Sequence, residues 1–351
     1  MKPIRVLVVD DSALVRKILE KGLQEDPGIE VVGTAMDAFI ARDKLVKLAP
    51  QVITLDVEMP GMDGVEFLKR LMPQYPIPVV MVSSLTQRGV QITLDALESG
   101  AVDFVSKPTV NVINGLQGMM MELRTKIKIA ASANVSHWKH KRVVNTHKKA
   151  RPNRALSKST DKVIAIGAST GGTEAIRRVL VGFPVDTPGT VIVQHMPANF
   201  TTMFADRMNN TCAMVVKEAE NGDRIMAGRV LIAPGELQMR VKRSGGVYRV
   251  EVFEGEKVNG HCPSVDVLMN SVASDVGSNA VGIILTGMGG DGAHGLLSMN
   301  KAGAWTIAQD EATSVVFGMP KVAYEMGGAE NLVPLEDISE RVIHQLSKLH
   351  H

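Results

Sequence analysis

Short runs of β-branched residues alternate with amphipathic stretches along the first third of this chain, and this alternation predicts a parallel sheet with helical crossovers. Five runs predict strands, at 4–9, 31–33, 52–55, 79–82 and 102–105. Apolar residues recur at helical spacing between them, as at Leu14, Ile18 and Leu23 after a Ser12 N-cap, and at Val90, Leu94 and Leu97 before Gly100. Right-handed crossovers then give a doubly wound sheet of about 120 residues, whose chemistry lies at the carboxyl ends of its strands.

The last part of the chain repeats this rhythm, which predicts a second parallel sheet. Runs at 163–166, 190–194, 229–232 and 281–285 predict its strands. Two further runs, 238–242 and 248–252, flank Ser244, Gly245 and Gly246 and predict a β-hairpin. The expected fold class is therefore α/β, with two doubly wound parallel-sheet domains and an antiparallel hairpin added to the second.

A basic segment separates the two alternating regions. Residues 123–160 carry eleven Lys or Arg side chains and no acidic one, whereas the regions before and after it have net charges of −4 and −5. A length of 351 residues agrees with two domains of about 150 each. We expect one domain at 1–122, a basic helix and linker at 123–160, with the helix at 112–129 preceding the linker, and a second domain at 161–351.

The composition is that of a folded protein, with 45% apolar and 22% charged residues. No apolar run reaches the roughly 18 residues of a membrane span, and the first strand meets Asp10 and Asp11 too early for a secretory signal. Two cysteines, Cys212 and Cys262, have neither metal-ligand spacing nor the number for a disulfide framework. We expect a cytoplasmic protein.

Acidic residues follow two strands of the first predicted sheet. Asp10 and Asp11 end the first strand and Asp56 ends the third, so the three carboxylates converge at one edge. Converging carboxylates repel one another unless a cation neutralises them, and Mg²⁺ is the natural candidate. Ser83 and Lys107 end the fourth and fifth strands, where a hydroxyl and an ammonium can hold a phosphoryl group. The set predicts phosphoryl transfer to a carboxylate.

Four segments of the first region, in their order along the chain, resemble the receiver domain of two-component response regulators. They are Asp10-Asp11, Asp56-Val-Glu-Met-Pro-Gly-Met-Asp-Gly, Ser83-Ser84 and Lys107-Pro108. The resemblance implies a flavodoxin-like fold, phosphorylation of Asp56 by a histidine kinase, and contacts from Ser83 and Lys107 to the phosphoryl group. It implies Mg²⁺ bound by Asp10, Asp11, Asp56 and the Glu58 carbonyl. It further implies that Phe104 is an aromatic switch and that the Lys107–Pro108 peptide bond is cis, an isomer open to X–Pro bonds at modest cost.

A serine stands directly between a strand and a helix in the second region. Ser169 lies in Gly167-Ala-Ser-Thr-Gly-Gly, which satisfies the G-x-S-x-G pattern of a tight turn that projects a nucleophile beside helix N–H groups. His195 ends the next strand and is the first candidate for a base. Asp291, in a glycine-rich loop, can orient the imidazole. His261 and His294 are rival bases, and the order Ser, His, Asp matches none of the three common hydrolase orders.

Six segments of the second region resemble the catalytic domain of the chemotaxis protein-glutamate methylesterase. They are Gly167-Ala-Ser-Thr-Gly-Gly, Gln194-His-Met-Pro, Ile232-Ala-Pro-Gly, Pro263-Ser-Val-Asp, Thr286-Gly-Met-Gly-Gly-Asp-Gly and Gln309-Asp-Glu-Ala-Thr-Ser-Val-Val-Phe-Gly-Met-Pro. The resemblance implies a Rossmann-like fold, Ser169 as nucleophile, His195 as general base and acid, and Asp291 as its orienter. It implies that Thr170 and Met288 line the site, the Met288 N–H contributing to the oxyanion hole.

The resemblance implies that Ser169 attacks a glutamate methyl ester of a methyl-accepting chemotaxis receptor and that the acyl-enzyme is then hydrolysed. It implies that the same chemistry deamidates receptor glutamines. It implies no cofactor for the hydrolysis. The resemblance also implies that the unphosphorylated receiver covers the active-site mouth and that phosphorylation weakens this packing.

Other functions remain open on the residues alone. A DNA-binding response regulator would use the basic segment to grip phosphates, but that segment lacks a recognition-helix pattern, and we expect no nucleic-acid partner. A dinucleotide-binding domain would need G-x-G-x-x-G and an acidic residue about 20 positions on, which the Ser169 region lacks. A generalist esterase would share the serine centre and differ in substrate.

Overall fold

The computed structural model describes residues 2–108, 112–139 and 161–348. The chain divides into two compact units whose boundary falls within 140–160, so most of the predicted basic linker lies outside the described residues. Both described cysteines are free thiols. Among the helices of the described segments, none combines the length and the hydrophobicity that crossing a bilayer requires.

The first unit is a five-stranded parallel sheet flanked by helices. Its strands are β1 Ile4–Val9, β2 Ile29–Ala35, β3 Val52–Asp56, β4 Val79–Ser83 and β5 Asp103–Ser106. Its helices are α1 Ala13–Gln24, α2 Ala38–Leu48, α3 Gly64–Leu71, α4 Gln87–Glu98 and α5 Val112–Ala130. The strand order β2-β1-β3-β4-β5 is that of flavodoxin-like sheets and confirms the predicted fold.

Local sequence accounts for the helix starts, although one predicted core position is wrong. The Ser12 side chain accepts a hydrogen bond from the Val15 N–H and caps α1, as its position predicted. Leu14 is 69% exposed, however, and Leu19 and Leu23 bury the inner face of α1 instead. Leu14 lies in the first turn of the helix.

The first unit continues past its last helix. Leu123, Ile127 and Ala130 of α5 are buried, and Arg124 pairs with Glu25. A short 3₁₀ helix at Ser136–Trp138 follows, and the Trp138 indole lies against Gly100, where a Cβ atom would meet it at 3.1 Å. Residues 131–139, predicted as linker, therefore pack on this unit.

The second unit consists of a seven-stranded parallel sheet, the helices that connect its strands, and a separate two-stranded antiparallel hairpin. Its parallel strands are β6 Val163–Ala168, β7 Gly189–Gln194, β8 Val215–Glu218, β9 Arg229–Ile232, β12 Ala280–Ile284, β13 Trp305–Gln309 and β14 Asn331–Val333, and the hairpin strands are β10 Gln238–Ser244 and β11 Val247–Phe253. Its helices are α6 Gly172–Gly182, α7 Phe200–Thr211, α8 Val265–Asp275, α9 Ala293–Lys301, α10 Met319–Glu325 and α11 Leu335–Lys348.

The order of this sheet, β14-β13-β12-β6-β7-β9-β8, places β6 at its centre. The chain passes from β6 to one side and later returns to β12 on the other, so the end of β6 is a topological switch point, where open α/β sheets bind ligands. Ser169 follows β6. The predicted hairpin is confirmed, since Ser244 pairs with Val247 around Gly245 and Gly246, whose positive φ angles of 55° and 82° suit a two-residue turn.

Candidate functional site

The carboxyl edge of the first sheet gathers the acidic residues. Asp10 and Asp56 are buried and Asp11 is exposed, and each offers a carboxylate oxygen within 4.8 Å of the others. The Lys107 Nζ atom lies 3.0 Å from both Asp10 Oδ2 and Asp56 Oδ1 and bridges the two buried carboxylates. The edge therefore holds three negative groups and one positive group in a small volume.

The Asp56 carboxylate is buried, and burial dominates its ionisation. Burial raises the pKa of Asp56 to about 6; Lys107 acts against this shift and Asp10 adds to it. The pKa of Lys107 is raised, because Asp56 and Asp10 together outweigh the burial that would lower it. The cluster places three carboxylates around one ammonium, and a hard cation would relieve the repulsion among the carboxylates.

The donor set fits Mg²⁺. Carboxylate oxygens from Asp10, Asp11 and Asp56 are the ligands that this ion takes, and Glu58, whose carbonyl was expected to join them, lies two residues after Asp56 with its side chain exposed. Within the described residues, no histidine or cysteine belongs to this cluster.

Ser83 and Phe104 are both buried in the first unit. The Ser83 hydroxyl is buried and faces α4, where it donates to the Gly89 carbonyl (3.2 Å) and accepts from Thr93 Oγ1 (2.6 Å). Ser83 is thus at the expected edge, and its hydroxyl is engaged with α4. Phe104 is buried, 5% exposed, with Lys126 Nζ 5.0 Å from its ring centre.

The expected cis bond at Lys107–Pro108 is wrong for this structure. Among the described residues the cis peptide bond is Cys262–Pro263. The trans isomer is favoured at most X–Pro bonds by roughly 0.5–1 kcal/mol, and with it Lys107 already reaches both carboxylates.

Ser169 occupies a tight turn between β6 and α6. Its N–H donates to the Thr286 carbonyl (3.0 Å), and its own carbonyl accepts from the Gly172 N–H (2.7 Å). Gly171, at φ 77°, turns the chain into the helix. This strand-turn-helix context is the one that the G-x-S-x-G pattern predicted.

His195 and Asp291 meet at the same edge. His195 directly follows β7, which pairs with β6 up to Ala168 and Gln194, and its N–H donates to the Ala168 carbonyl. The imidazole Nε2 lies 2.8 Å from Asp291 Oδ2. The other ring nitrogen, Nδ1, is buried and has no hydrogen-bond partner within the described residues. No hydrogen bond joins the Ser169 hydroxyl to the imidazole in this part of the chain.

The carboxylate of Asp291 lies at the N-terminus of α8 and accepts five hydrogen bonds. The donors are His195 Nε2 (2.8 Å) and the Val265 N–H (2.7 Å) to Oδ2, and Asn259 Nδ2 (2.9 Å), Ser264 Oγ (2.8 Å) and the Asp266 N–H (3.3 Å) to Oδ1. Burial would raise the pKa of Asp291, but the bonds from His195, Asn259 and Ser264 outweigh it and hold this pKa below its usual range. Asp291 is therefore ionised and fixes the tautomer with a proton on Nε2.

Sequence reasoning missed most of this donor set. Ser264 is the N-cap of α8, and its hydroxyl also donates to Asp291. Asn259 had no local signal: its amide bridges Asp291 and Asp266, 2.7 Å from the latter's Oδ2. Burial raises the pKa of Asp266, and Asp291 adds to the shift while the Gly295 N–H opposes it.

A glycine-rich loop, 286–292, lies directly against the serine. A Cβ atom on Gly287 would come 2.7 Å from the Ser169 Cβ. The next residue, Met288, is 48% exposed, and its N–H has no hydrogen-bond partner within the described residues, as an oxyanion donor requires. Thr170 is buried on the other side, and its carbonyl accepts from Thr286 Oγ1 (3.0 Å).

Gln194 joins the two turns and was also missed. Its Nε2 donates to the Ser169 carbonyl (2.9 Å) and to the His195 carbonyl (3.2 Å). A Cβ atom on Gly172 would overlap Gln194 Oε1, so only glycine fits at that helix start. One buried carboxamide thus ties together the backbones of the candidate nucleophile and base.

The rival histidines differ in position. His294 is exposed on α9. His261 lies beside the site, with its ring stacked on that of His195 at a centroid distance of 3.7 Å. Neither makes a hydrogen bond to Asp291, so His195 alone among the three has the geometry of an oriented base.

The fold and the two sites define a class: a two-domain α/β protein with a response-regulator receiver centre in one unit and a serine, histidine and aspartate site in the other. A family model described as CheB methylesterase matches residues 164–342, and a model described as response regulator receiver domain matches residues 6–114. The chain belongs to the CheB methylesterase family.

Known relatives extend over the whole length. A protein-glutamate methylesterase/protein-glutamine glutaminase of Syntrophotalea carbinolica is 66% identical over 348 residues, covering 99% of this chain and 99% of the relative. The protein of the same name from Sulfurimonas denitrificans is 55% identical over 348 residues, covering 98% of this chain and 99% of the relative. The crystal structure of the Thermotoga maritima CheB methylesterase catalytic domain is 37% identical, with a TM-score of 0.51, covering 54% of this chain and 98% of that one.

Proposed function

We propose that this protein hydrolyses glutamate methyl esters on methyl-accepting chemotaxis receptors, and deamidates specific receptor glutamines, in a reaction stimulated by phosphorylation of Asp56. The names of its full-length relatives support the substrate class. The observation that carries the chemistry is the buried His195 ring, whose Nε2 bonds to Asp291 while Nδ1 has no partner.

The proton path follows from the tautomer. With a proton on Nε2, the Nδ1 lone pair is the basic site, and it accepts the Ser169 hydroxyl proton as Oγ attacks the ester carbonyl carbon. The tetrahedral oxyanion is stabilised by the Met288 N–H, with the Thr170 side of the turn lining the pocket. The C–O bond to the methoxy group then breaks, and Nδ1 returns its proton to form methanol.

Water completes the cycle. Nδ1 takes a proton from water, the resulting hydroxide adds to the acyl carbonyl, and the Ser169 C–O bond breaks as Oγ regains the proton. The product is a receptor γ-carboxylate. With a glutamine substrate the leaving group is ammonia and the later steps are the same. Asp291, ionised throughout, stabilises the imidazolium in both halves.

The receiver supplies regulation. The Asp56 carboxylate attacks the phosphorus of a kinase phosphohistidine, the P–N bond breaks, and an acyl phosphate forms with roughly two negative charges. Mg²⁺ would be held by Asp10, Asp11, Asp56 and the Glu58 carbonyl, and would neutralise charge on the phosphoryl group. Lys107 adjoins that position, and Ser83 reaches it after leaving the Gly89 carbonyl.

Complete switching from 1:99 to 99:1 needs about 5.5 kcal/mol of differential stabilisation, so we expect partial activation.

Methanol release from methylated receptor membranes, with and without a small-molecule phosphodonor, tests this function. We expect stimulation of the wild type, an unstimulated basal rate in Asp56→Asn, and a loss on the order of 10⁴-fold in Ser169→Ala. Near-normal methanol release by Ser169→Ala would remove this serine from the mechanism. Equal turnover of simple esters would indicate a generalist esterase instead.

A further inference from the structure

A second histidine lies flat on the candidate base. The rings of His195 and His261 are stacked at a centroid distance of 3.7 Å with an interplanar angle of 6°. His261 belongs to the connection between β11 and α8, whose residues 254–260 are all exposed. An exposed connection thus places the ring of His261 on the face of the nearly buried His195 imidazole.

Several hydrogen bonds fix this connection in place. Asn259 Nδ2 donates to both Asp266 and Asp291, and the N–H groups of Val258 and His261 donate to each other's carbonyls at 3.0 and 2.9 Å. Gln238, 2% exposed, donates through Nε2 to the Glu256 carbonyl at 2.9 Å. These bonds hold the backbone from which the His261 ring extends.

The bonding of His195 leaves one motion weakly restrained. The ring turns about its Cβ–Cγ bond, a torsion with a broad energy profile. Nε2 lies close to that axis and Nδ1 lies farther from it, on the opposite side. A bond from Nε2 to Asp291 therefore holds the ring plane poorly, while any rotation displaces Nδ1, the atom that must face Ser169.

We propose that His261 is a positioning residue for the hydrolase site: its ring, packed on the face of His195, sets the plane of the imidazole and so directs Nδ1 at Ser169. This role rests on the proposed function. His261 touches neither the reacting atoms nor Asp291 through a hydrogen bond, and its contribution is the stacked ring.

The charge state of His261 suits this role. Burial lowers the pKa of His261 to about 4; His195 and Lys257 add to this shift and Asp291 opposes it. His261 is therefore neutral at neutral pH, and its π face meets the imidazolium of the proposed mechanism without like-charge repulsion.

Kinetics of the full-length chain on methylated receptor membranes tests the role. We expect His261→Ala to lower kcat for methanol release roughly 3- to 10-fold, the worth of one aromatic stack, with KM unchanged. His261→Phe keeps a flat ring without a titrating group and should recover most of kcat. His294→Ala, which removes an exposed histidine of the same unit, should match the wild type.

Wild-type kcat in His261→Ala, or equal losses in His261→Ala and His261→Phe, would overturn the proposal. Either result is distinct from failure of the hydrolase assignment, for which Ser169→Ala would have to remain active. Should His261→Ala fail to fold, the wild-type protein still decides, because stacked rings shift each other's carbon-bound proton signals upfield. Unshifted ring protons of His195 and His261 would contradict the stack.

Discussion

Replacement of Asp291 by asparagine should disable the base by reversing its tautomer. Both oxygens of Asp291 act as hydrogen-bond acceptors. Oδ1 accepts from Asn259, Ser264 and the Asp266 N–H, and Oδ2 accepts from His195 and the Val265 N–H. The single side-chain oxygen of asparagine can replace only one of these two oxygens. The asparagine NH₂ group then takes the position of the other oxygen and faces hydrogen-bond donors there. The Oδ1 side has more donors, and we expect the new oxygen there.

The NH₂ group then faces His195, which can accept only through a deprotonated Nε2. The proton moves to Nδ1, and the atom that should deprotonate Ser169 no longer has a lone pair. A loss on the order of 10⁴-fold in kcat follows, as for this substitution in other serine triads. The buried Val265 N–H also loses its acceptor, at a cost of about 1–3 kcal/mol in the free energy of unfolding.

Methanol release under saturating receptor, together with chemical denaturation, measures both effects. Asp266→Asn is the matched control, since Asp266 is also buried and bonds to Asn259, while no hydrogen bond within the described residues joins it to His195. We expect its kcat within about tenfold of wild type. Equal kcat losses in the two variants, or an Asp291→Asn variant with more than a tenth of wild-type kcat, would refute the tautomer argument.

The same variant should alter stability in acid. Asp291 has a depressed pKa in the folded state, so its ionised form stabilises the protein above the unfolded-state pKa of about 3.9, and this contribution is lost as pH falls below that value. The difference in unfolding free energy between wild type and Asp291→Asn should therefore be constant near neutrality and shrink below about pH 4. An unchanged difference at pH 3 would contradict the ionised state.

Three further outcomes are expected. Gln194→Leu removes the donor shared by the Ser169 and His195 carbonyls, and should lower kcat about tenfold with little change in KM; wild-type kcat would show that this tie is dispensable. Ser264→Ala removes a helix cap and should cost about 1 kcal/mol in unfolding free energy by denaturant titration, and an unchanged midpoint would count against the cap. Without Mg²⁺, Asp56→Asn should raise the unfolding free energy by at most about 3 kcal/mol at pH 8, because the folded-state pKa of about 6 makes the ionised carboxylate unfavourable in the folded protein. This gain in stability should vanish as the pH falls from 6 to 4. A loss of stability in the variant at pH 8 would contradict the prediction.

Hydrophobic patterning predicted the features that depend on strand periodicity. The five strands of the first unit were located by their β-branched runs, and the carboxyl ends of β1 and β3 bring Asp10 and Asp56 together because parallel strands end at one edge. His195 and Asp291 meet for the same reason. Strands β8, β13 and β14 were missed, since short runs such as Asn331–Val333 are marked by no alternation and are stabilised by their neighbours.

Features that depend on long-range side-chain contacts could not be predicted. Asn259 reaches Asp291 across 32 positions, and Gln194 reaches Ser169 across 25. The Ser83 hydroxyl direction is decided by Gly89 and Thr93, whose positions depend on how α4 packs. Local sequence predicts which residue types lie at the edge of the sheet. Tertiary packing determines which ring nitrogen of His195 faces Asp291.

Nitrogen-15 spectra of the full-length protein with labelled histidine test the central claim most directly, since they report which ring nitrogen of His195 carries the proton. At neutral pH we expect Nε2 to be protonated and Nδ1 to be bare, and Asp291→Asn to exchange the two. A wild-type His195 protonated on Nδ1 alone would contradict the account, because Ser169 would then face a nitrogen with no lone pair to accept its proton.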